Sequence, residues 1–235
     1  MLVAGHKLIQ VAGRNPVKSA ALANLLQTSF TTDFAQLSKS ADLYFIAISD
    51  DVLINASSFL QLGDGITVHS AGSVEMSVLK GISTRYGILY PLQSLRSDVT
   101  ELPEIPLLVD GNSEETRKII RDFAATISNK VQTADDAYRR KIHLAAVCTN
   151  NFSNHLFALS ADYCKRERVD FSLLLPLLKE TVSRLEQYAA EDMQTGPAKR
   201  GDLRTIENHF TMLDKDPQLK KIYALMTESI KARYQ

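Results

Sequence analysis

The sequence predicts an α/β chain in which a doubly wound, mostly parallel sheet is followed by an all-helical domain, and three observations carry that prediction. Short apolar runs alternate with helical patterns through residues 8–127. Strand patterns stop after residue 133, so the expected domains are 1–133 and 134–235. Between them, residues 135–166 form the longest helical pattern in the chain, with neither Gly nor Pro inside it.

Taken in order, residues 8–12 read as a short strand that ends at Gly13, Arg14 and Asn15, with Pro16 at a first helical position and a helix following. Residues 43–48 are a continuous apolar run, the mark of a strand buried on both faces, and Ser49, Asp50 and Asp51 then open a helix expected to reach Leu60. Residues 66–68 are a third strand ending at His69, residues 86–90 a fourth ending at Pro91, and residues 105–109 a fifth, followed by a turn at Asp110, Gly111 and Asn112. Helices alternate with these strands, notably residues 113–127, whose first turn carries Glu114 and Glu115 where the helix dipole favours anions.

The long helix has a core-facing stripe at Tyr138, Ile142, Ala145, Thr149, Phe152, Leu156, Leu159 and Tyr163, spaced by threes and fours. A second stripe carries His143, Asn150 and Asn154, flanked by Asn151 and His155. Asn is a poor helix former, so three within residues 150–154 predict a kink, a polar seam or a ligand-facing wall. Further apolar stripes at Phe171 to Tyr188, Leu203 to Leu213 and Leu219 to Ile230 complete a helical bundle, interrupted by Thr195-Gly196-Pro197-Ala198-Lys199-Arg200-Gly201-Asp202.

Composition narrows the function classes. With 45% hydrophobic and 23% charged residues the chain is an ordinary globular mixture, and 27 basic against 27 acidic residues leave no field that draws nucleic acid or an acidic membrane. No apolar run spans a bilayer, and residues 1–18 lack the core of a signal peptide. Cys148 and Cys164 lie on one predicted helix about 24 Å apart by helical rise, too far to bridge, so a reducing cytoplasm is the expected setting. No two His residues sit at a metal-ligand interval on one helix, and no Ser lies in a Gly-x-Ser-x-Gly elbow, so neither a metal site nor a serine hydrolase is expected.

In an open parallel sheet ligands bind beyond the carboxyl ends of the strands, which selects Arg14, Asn15, Ser49, Asp50, His69, Ser70 and Tyr90. Arg14 suits the 2′-phosphate of NADP, where an acid would accept the ribose hydroxyls of NAD. His69 has the chemistry of an acid, base or electrophile, with Ser70 and Ser73 as nearby donors, and Arg200 that of a bidentate carboxylate clamp. Asp202 reads as the cap of the next helix. A dinucleotide site also needs a Gly-x-Gly-x-x-Gly loop, and Gly63-Asp64-Gly65 precedes a strand and lacks the third glycine.

The segments Val68-His69-Ser70-Ala71-Gly72-Ser73, Gly87-Ile88-Leu89-Tyr90-Pro91-Leu92-Gln93-Ser94, Asn150 to His155 and Thr195 to Asp202, in that order and spacing, resemble Rossmann-like proteins carrying "domain of unknown function 2520". That family is similar in architecture to pyrroline-5-carboxylate reductase and the 6-phosphogluconate dehydrogenase group. The resemblance implies a nucleotide-binding domain, an all-helical dimerisation domain and a cleft lined by His69, Ser70, Ser73, Asn154, Arg200 and Asp202. It also implies an N-terminally truncated sheet, since Ala4-Gly5-His6-Lys7 looks like the end of a helix that follows a first strand and glycine loop. Many relatives carry His before Pro-Leu where this chain has Tyr90, so no role transfers to that position.

Together these readings lead to an NADP-dependent oxidoreductase acting on a small carboxylated substrate. Arg14, Asn15, Ser49 and Asp50 are expected to hold the cofactor, His69 and Asn154 to act at the reacting group, and Ser70, Ser73, Asn150 and Arg200 to bind substrate. A homodimer is expected, without nucleic acid, membrane or metal. The alternative is a catalytically silent dimer that senses a ligand or nucleotide.

Overall fold

The computed structural model describes residues 4–95 and 103–234. It divides the chain into two compact units, Met1–Val147 and Cys148–Gln235.

The first unit is an α/β unit with a five-stranded sheet at its centre. β1 (Gln10–Ala12), α1 (Pro16–Leu25) and β2 (Ser29–Thr31) come first, and β1 and β2 pair in parallel as a small sheet of their own. β3 (Leu43–Ile46), β4 (Ile66–His69), β5 (Tyr86–Pro91), β6 (Leu107–Gly111) and β7 (Val131–Thr133) then line up in that order, with α2 (Asp50–Leu53), α3 (Glu114–Ala125) and α4 (Asp136–Ala146) between or after them. β3, β4 and β5 are parallel, β6 runs antiparallel to β5, and β7 runs parallel to β6. The predicted mostly parallel, doubly wound sheet is therefore present, with its last two strands reversed.

Burial follows the pleat. Val68, Leu89 and Val109 point to one face and pack with Ile120 and Ala124 of α3, while Ile88, Tyr90 and Leu108 point to the other with Ala134 and Ile142 of α4. α3 buries Thr116, Ile120 and Ala124, spaced by four, and Ser113 caps it by accepting from the Thr116 amide at 3.1 Å. Each fully buried Ile or Val side chain stabilises by about 1.5–3 kcal/mol relative to exposure.

Two expectations are corrected, and two short strands were not expected. The helix opened by Asp50 stops at Leu53 instead of reaching Leu60, and a 3₁₀ turn follows at Ala56–Ser58. Here Asn55 and Ser58 turn their side chains onto the backbone, Asn55 Nδ2 to the Asp51 carbonyl and Ser58 Oγ to the Asn55 carbonyl, in competition with the helix. β2 and β7, of three residues each, are too short to show a period. The long helix is interrupted by a π-helical turn, Val147–Asn151, that joins α4 to α5 (Phe152–Glu167) at the asparagine-rich stretch expected to kink.

The second unit is helical. After α5, which ends on Arg168 in the left-handed region (φ 58°), come α6 (Leu175–Ser183), α7 (Pro197–Arg200), α8 (Leu203–Met212) and α9 (Pro217–Tyr234). Among the described residues no helix is long and apolar enough to cross a membrane, and Cys148 and Cys164 are both free thiols.

Candidate functional site

Because β3, β4 and β5 are parallel, their carboxyl ends share one edge of the sheet, and the loop of residues 69–75 ties that edge together. His69 closes β4 and is fully buried, paired in register with Ile88. Its Nδ1 accepts from the Ala71 amide at 3.1 Å, which leaves Nε2 as the donor to the Glu75 carbonyl at 3.4 Å. Burial pushes its pKa down to about 4, the Arg139 guanidinium adds to that, and the Glu75 carbonyl, Asp136 and Asp50 oppose it. His69 is therefore neutral at pH 7 with both nitrogens taken by the backbone, and what it does chemically is hold the loop in shape.

The loop and the residue after it reach α2 through Ser73 and α4 through Gly72, Val74 and Met76. Ser73 donates to the carboxylate of Asp50, the first residue of α2. The Met76 amide donates to both Asp136 oxygens at 3.2 Å, and the Val74 carbonyl accepts from Arg139. Arg139 is fully buried and also pairs with Asp136 at 2.7 Å, while its Nε and Nη1 have no partner among the described residues. A guanidinium withdrawn from water is costly unless paired, so Asp136 and Val74 are what make its position tenable.

Gly72 completes the contact with α4. A Cβ on this residue would lie 2.4 Å from His143 Nδ1, so the close approach of the ring requires glycine. His143 Nδ1 in turn lies 3.1 Å from the Tyr90 hydroxyl at the end of β5, with the two rings edge-on at 6.1 Å. Burial raises the Tyr90 pKa, against an opposing pull from Arg139.

The residues singled out by sequence fall into three groups. Asp50, His69 and Ser73 come together on this edge, and Ser70 sits half-buried beside them with its amide bonded to the Ile46 carbonyl at 3.4 Å. Ser49 precedes α2, exposed and making no side-chain cap bond. Arg14 lies exposed in the turn after β1, and Asn15 caps α1 by accepting from the Lys18 amide at 3.0 Å. The others lie on the helical unit. Asn150 sits in the π turn and Asn154 on α5, both exposed, and exposed Arg200 ends α7 between Gly196 (φ 100°) and Gly201 (φ 68°). Asp202 is the cap of α8, as expected, bonded to the Thr205 amide at 3.1 Å and hydroxyl at 2.7 Å, and these bonds hold its pKa below the usual carboxylate range.

Sequence reasoning gave no role to Arg139 or Asp136, and it left Tyr90, a strand-end residue, and His143, on the polar stripe, without a task of their own. A readable signal existed, because 136, 139 and 143 fall on one side of a helix as acid, base and imidazole. A shallow depression of about 340 Å³ lies at the opposite edge of the sheet, lined by Asp110, Arg117, Thr133, Ala134, Asp135 and Tyr138. Its Arg117 is already paired with Asp110 at 2.8 Å, and it shares no residue with the strand-end edge.

Residues 105–230 match DUF2520, a domain of unknown function, and the chain belongs to that family. No curated protein matches it. A Bacteroides fragilis protein proposed to be an NADP oxidoreductase is 34% identical, with a TM-score of 0.92 over 98% of this chain and 91% of that one. The fold is shared with an imine reductase from Myxococcus stipitatus in complex with NADP+ (12% identity, TM-score 0.62, 96% and 86% covered). It is also shared with 1-pyrroline-5-carboxylate reductase from Streptococcus pyogenes (13%, 0.59, 95% and 88%).

Proposed function

We propose that this DUF2520 protein is an NADP-dependent oxidoreductase acting on a small, carboxylated molecule. The observation that carries the reading is its likeness along nearly the whole chain to the Bacteroides fragilis protein, itself proposed to be an NADP oxidoreductase. Arg14 fits the 2′-phosphate of NADP. It is an exposed cation at a strand end with no partner among the described residues, next to a helix start whose dipole also favours an anion. Asn15 has its side-chain oxygen committed to the cap, so only its amide NH₂ remains to donate. Ser49 and Asp50 supply a hydroxyl and a carboxylate for ribose. The sequence holds no Gly-x-Gly-x-x-Gly, so no residue is assigned to the pyrophosphate.

When bound, the cofactor supplies the hydride chemistry, and the protein supplies orientation and protons. His69 serves by holding residues 69–75, where Ser70 is the donor to the substrate and Ser73, whose hydroxyl proton goes to Asp50, accepts from it. On the helical unit Arg200 is the carboxylate anchor, while Asn150 and Asn154 are polar contacts to the substrate. A homodimer is part of the same proposal, supported by the exposed apolar residues Leu173, Leu177, Val182 and Leu185 on the helical unit.

Thermal denaturation with NADPH or NADH tests the reading. NADPH at a hundred times its Kd should stabilise by about 2.7 kcal/mol, NADH should do less, and Arg14→Ala should abolish the preference. Equal stabilisation, or none, removes the NADP assignment. Binding without turnover of any carboxylated carbonyl or imine would instead support the silent ligand sensor.

A further inference from the structure

Outside the roles assigned so far, one arrangement in the α/β unit is built from three elements at once. Tyr90 is the penultimate residue of β5, His143 lies one turn beyond Arg139 on α4, and Gly72 belongs to the loop after β4. The Tyr90 hydroxyl and His143 Nδ1 are 3.1 Å apart, and the loop backbone comes so close to the imidazole that any side chain at position 72 would strike it. His143 is half-buried, whereas Tyr90 is only 9% exposed.

The direction of the hydrogen bond follows from what each partner has left. A buried hydroxyl proton needs an acceptor, and His143 Nδ1 is the partner given to Tyr90 among the described residues. Tyr90 therefore donates, Nδ1 is the unprotonated nitrogen, and the ring proton sits on Nε2. His143 Nε2 makes no hydrogen bond among the described residues. Arg139 on α4 is the charged group that acts on Tyr90, and the same guanidinium acts on buried His69 of β4 together with Asp136 of α4 and Asp50 of α2.

We infer that His143 is the proton donor to the reacting group, held as the Nε2–H form by Tyr90 and given room by Gly72. The inference rests on the oxidoreductase reading. A bound nicotinamide would supply the hydride to the carbon of a C=O or C=N bond, whose π pair would go to the heteroatom. The His143 Nε2–H bond breaks as the heteroatom–H bond forms. At the same time the Tyr90 O–H bond breaks as Nδ1–H forms, which leaves a phenolate near the Arg139 charge. Solvent then returns one proton through the ring. Tyr90 acts through His143 and is a positioning residue.

The first test needs no substrate. In ¹⁵N-histidine-labelled protein, with His143 assigned by the signal lost in His143→Gln, the unprotonated Nδ1 resonance should move toward the free-imidazole position in Tyr90→Phe. It should also move in Gly72→Ala, where the ring is the flexible side that yields. If Tyr90→Phe leaves Nδ1 unmoved, the inference is wrong. NADPH at saturation should then shift the His143 ring signals, and binding without any shift would also overturn it. Once a reducible substrate is found, His143→Gln should lower kcat by about 10²–10⁴-fold with KM little changed. Tyr90→Phe should lower kcat by less, and a His143→Gln enzyme with kcat within about twofold of the parent ends the donor role. If neither NADPH nor NADH binds, the oxidoreductase reading fails and takes the donor role with it, whatever the Nδ1 resonance shows.

Discussion

The five-stranded sheet and the helical unit spend their apolar residues differently. In the sheet, Ile66, Val68, Ile88, Leu89 and Val109 are all at or below 2% exposure, as is Ile120 of the covering α3, and even the charge on Arg139 of α4 is enclosed. In the helical unit the buried apolar residues are Cys164, Ala198, Ile206 and Leu213, while Leu173 is 72% and Leu177 62% exposed. A sheet covered by helices on both faces completes its own core, whereas amphipathic helices leave stripes that are satisfied only when something packs on them. The contrast teaches that substitutions in the first region should act on stability and those on the exposed helical stripe on assembly.

The largest expected effect lies at Arg139. Arg139→Ala leaves the Val74 carbonyl and Asp136 without their cation and opens a void beside His69, so urea denaturation should show a loss of about 3–5 kcal/mol. A loss under about 1 kcal/mol would mean that the enclosed charge contributes little and the contrast is overstated.

Next comes His69. Its folded pKa is about 4 against an ordinary 6.5, so in the unfolded chain the ring takes up a proton at higher pH than in the native one. Stability from this group is full above pH 6.5 and is lost as pH falls from 6.5 toward 4, by up to ~3 kcal/mol. His69→Gln should lower stability at pH 7 and flatten that acid slope, which denaturation midpoints between pH 4 and 7.5 would reveal. A slope unchanged in the variant would place the acid sensitivity elsewhere.

The smallest stability effect is predicted on the helical stripe. Leu173→Lys and Leu177→Lys should change unfolding free energy by under ~0.5 kcal/mol in the dissociated protein. They should nevertheless raise the dimer dissociation constant by tenfold or more in analytical ultracentrifugation. If the parent protein sediments only at 26.1 kDa, the dimer proposal is wrong and the stripe needs another cover.

Much of this architecture could be read from the chain before any coordinates. The runs at 43–48, 66–68 and 86–90 are strongly apolar and short, and the caps Ser113, Asp135 and Asp202 sit where the helices begin. Such signals are local, since strand burial and helix capping depend on residues within a few positions of each other. Long-range facts were not readable. The reversal of β6 is a choice of pairing partner, and a strand's apolar run looks the same whichever way it points.

The same division holds at the candidate site. Residue identity alone determined that Arg14 follows a first strand, that His69 follows the middle of the sheet, and that a glycine occupies position 72. Only the tertiary structure decided that both His69 nitrogens are bound by the backbone, while His143, 74 residues further along, meets Tyr90 and Gly72. The physical reason is that an imidazole's chemistry is set by burial and by the partners of its two nitrogens, and those partners come from elements distant in sequence.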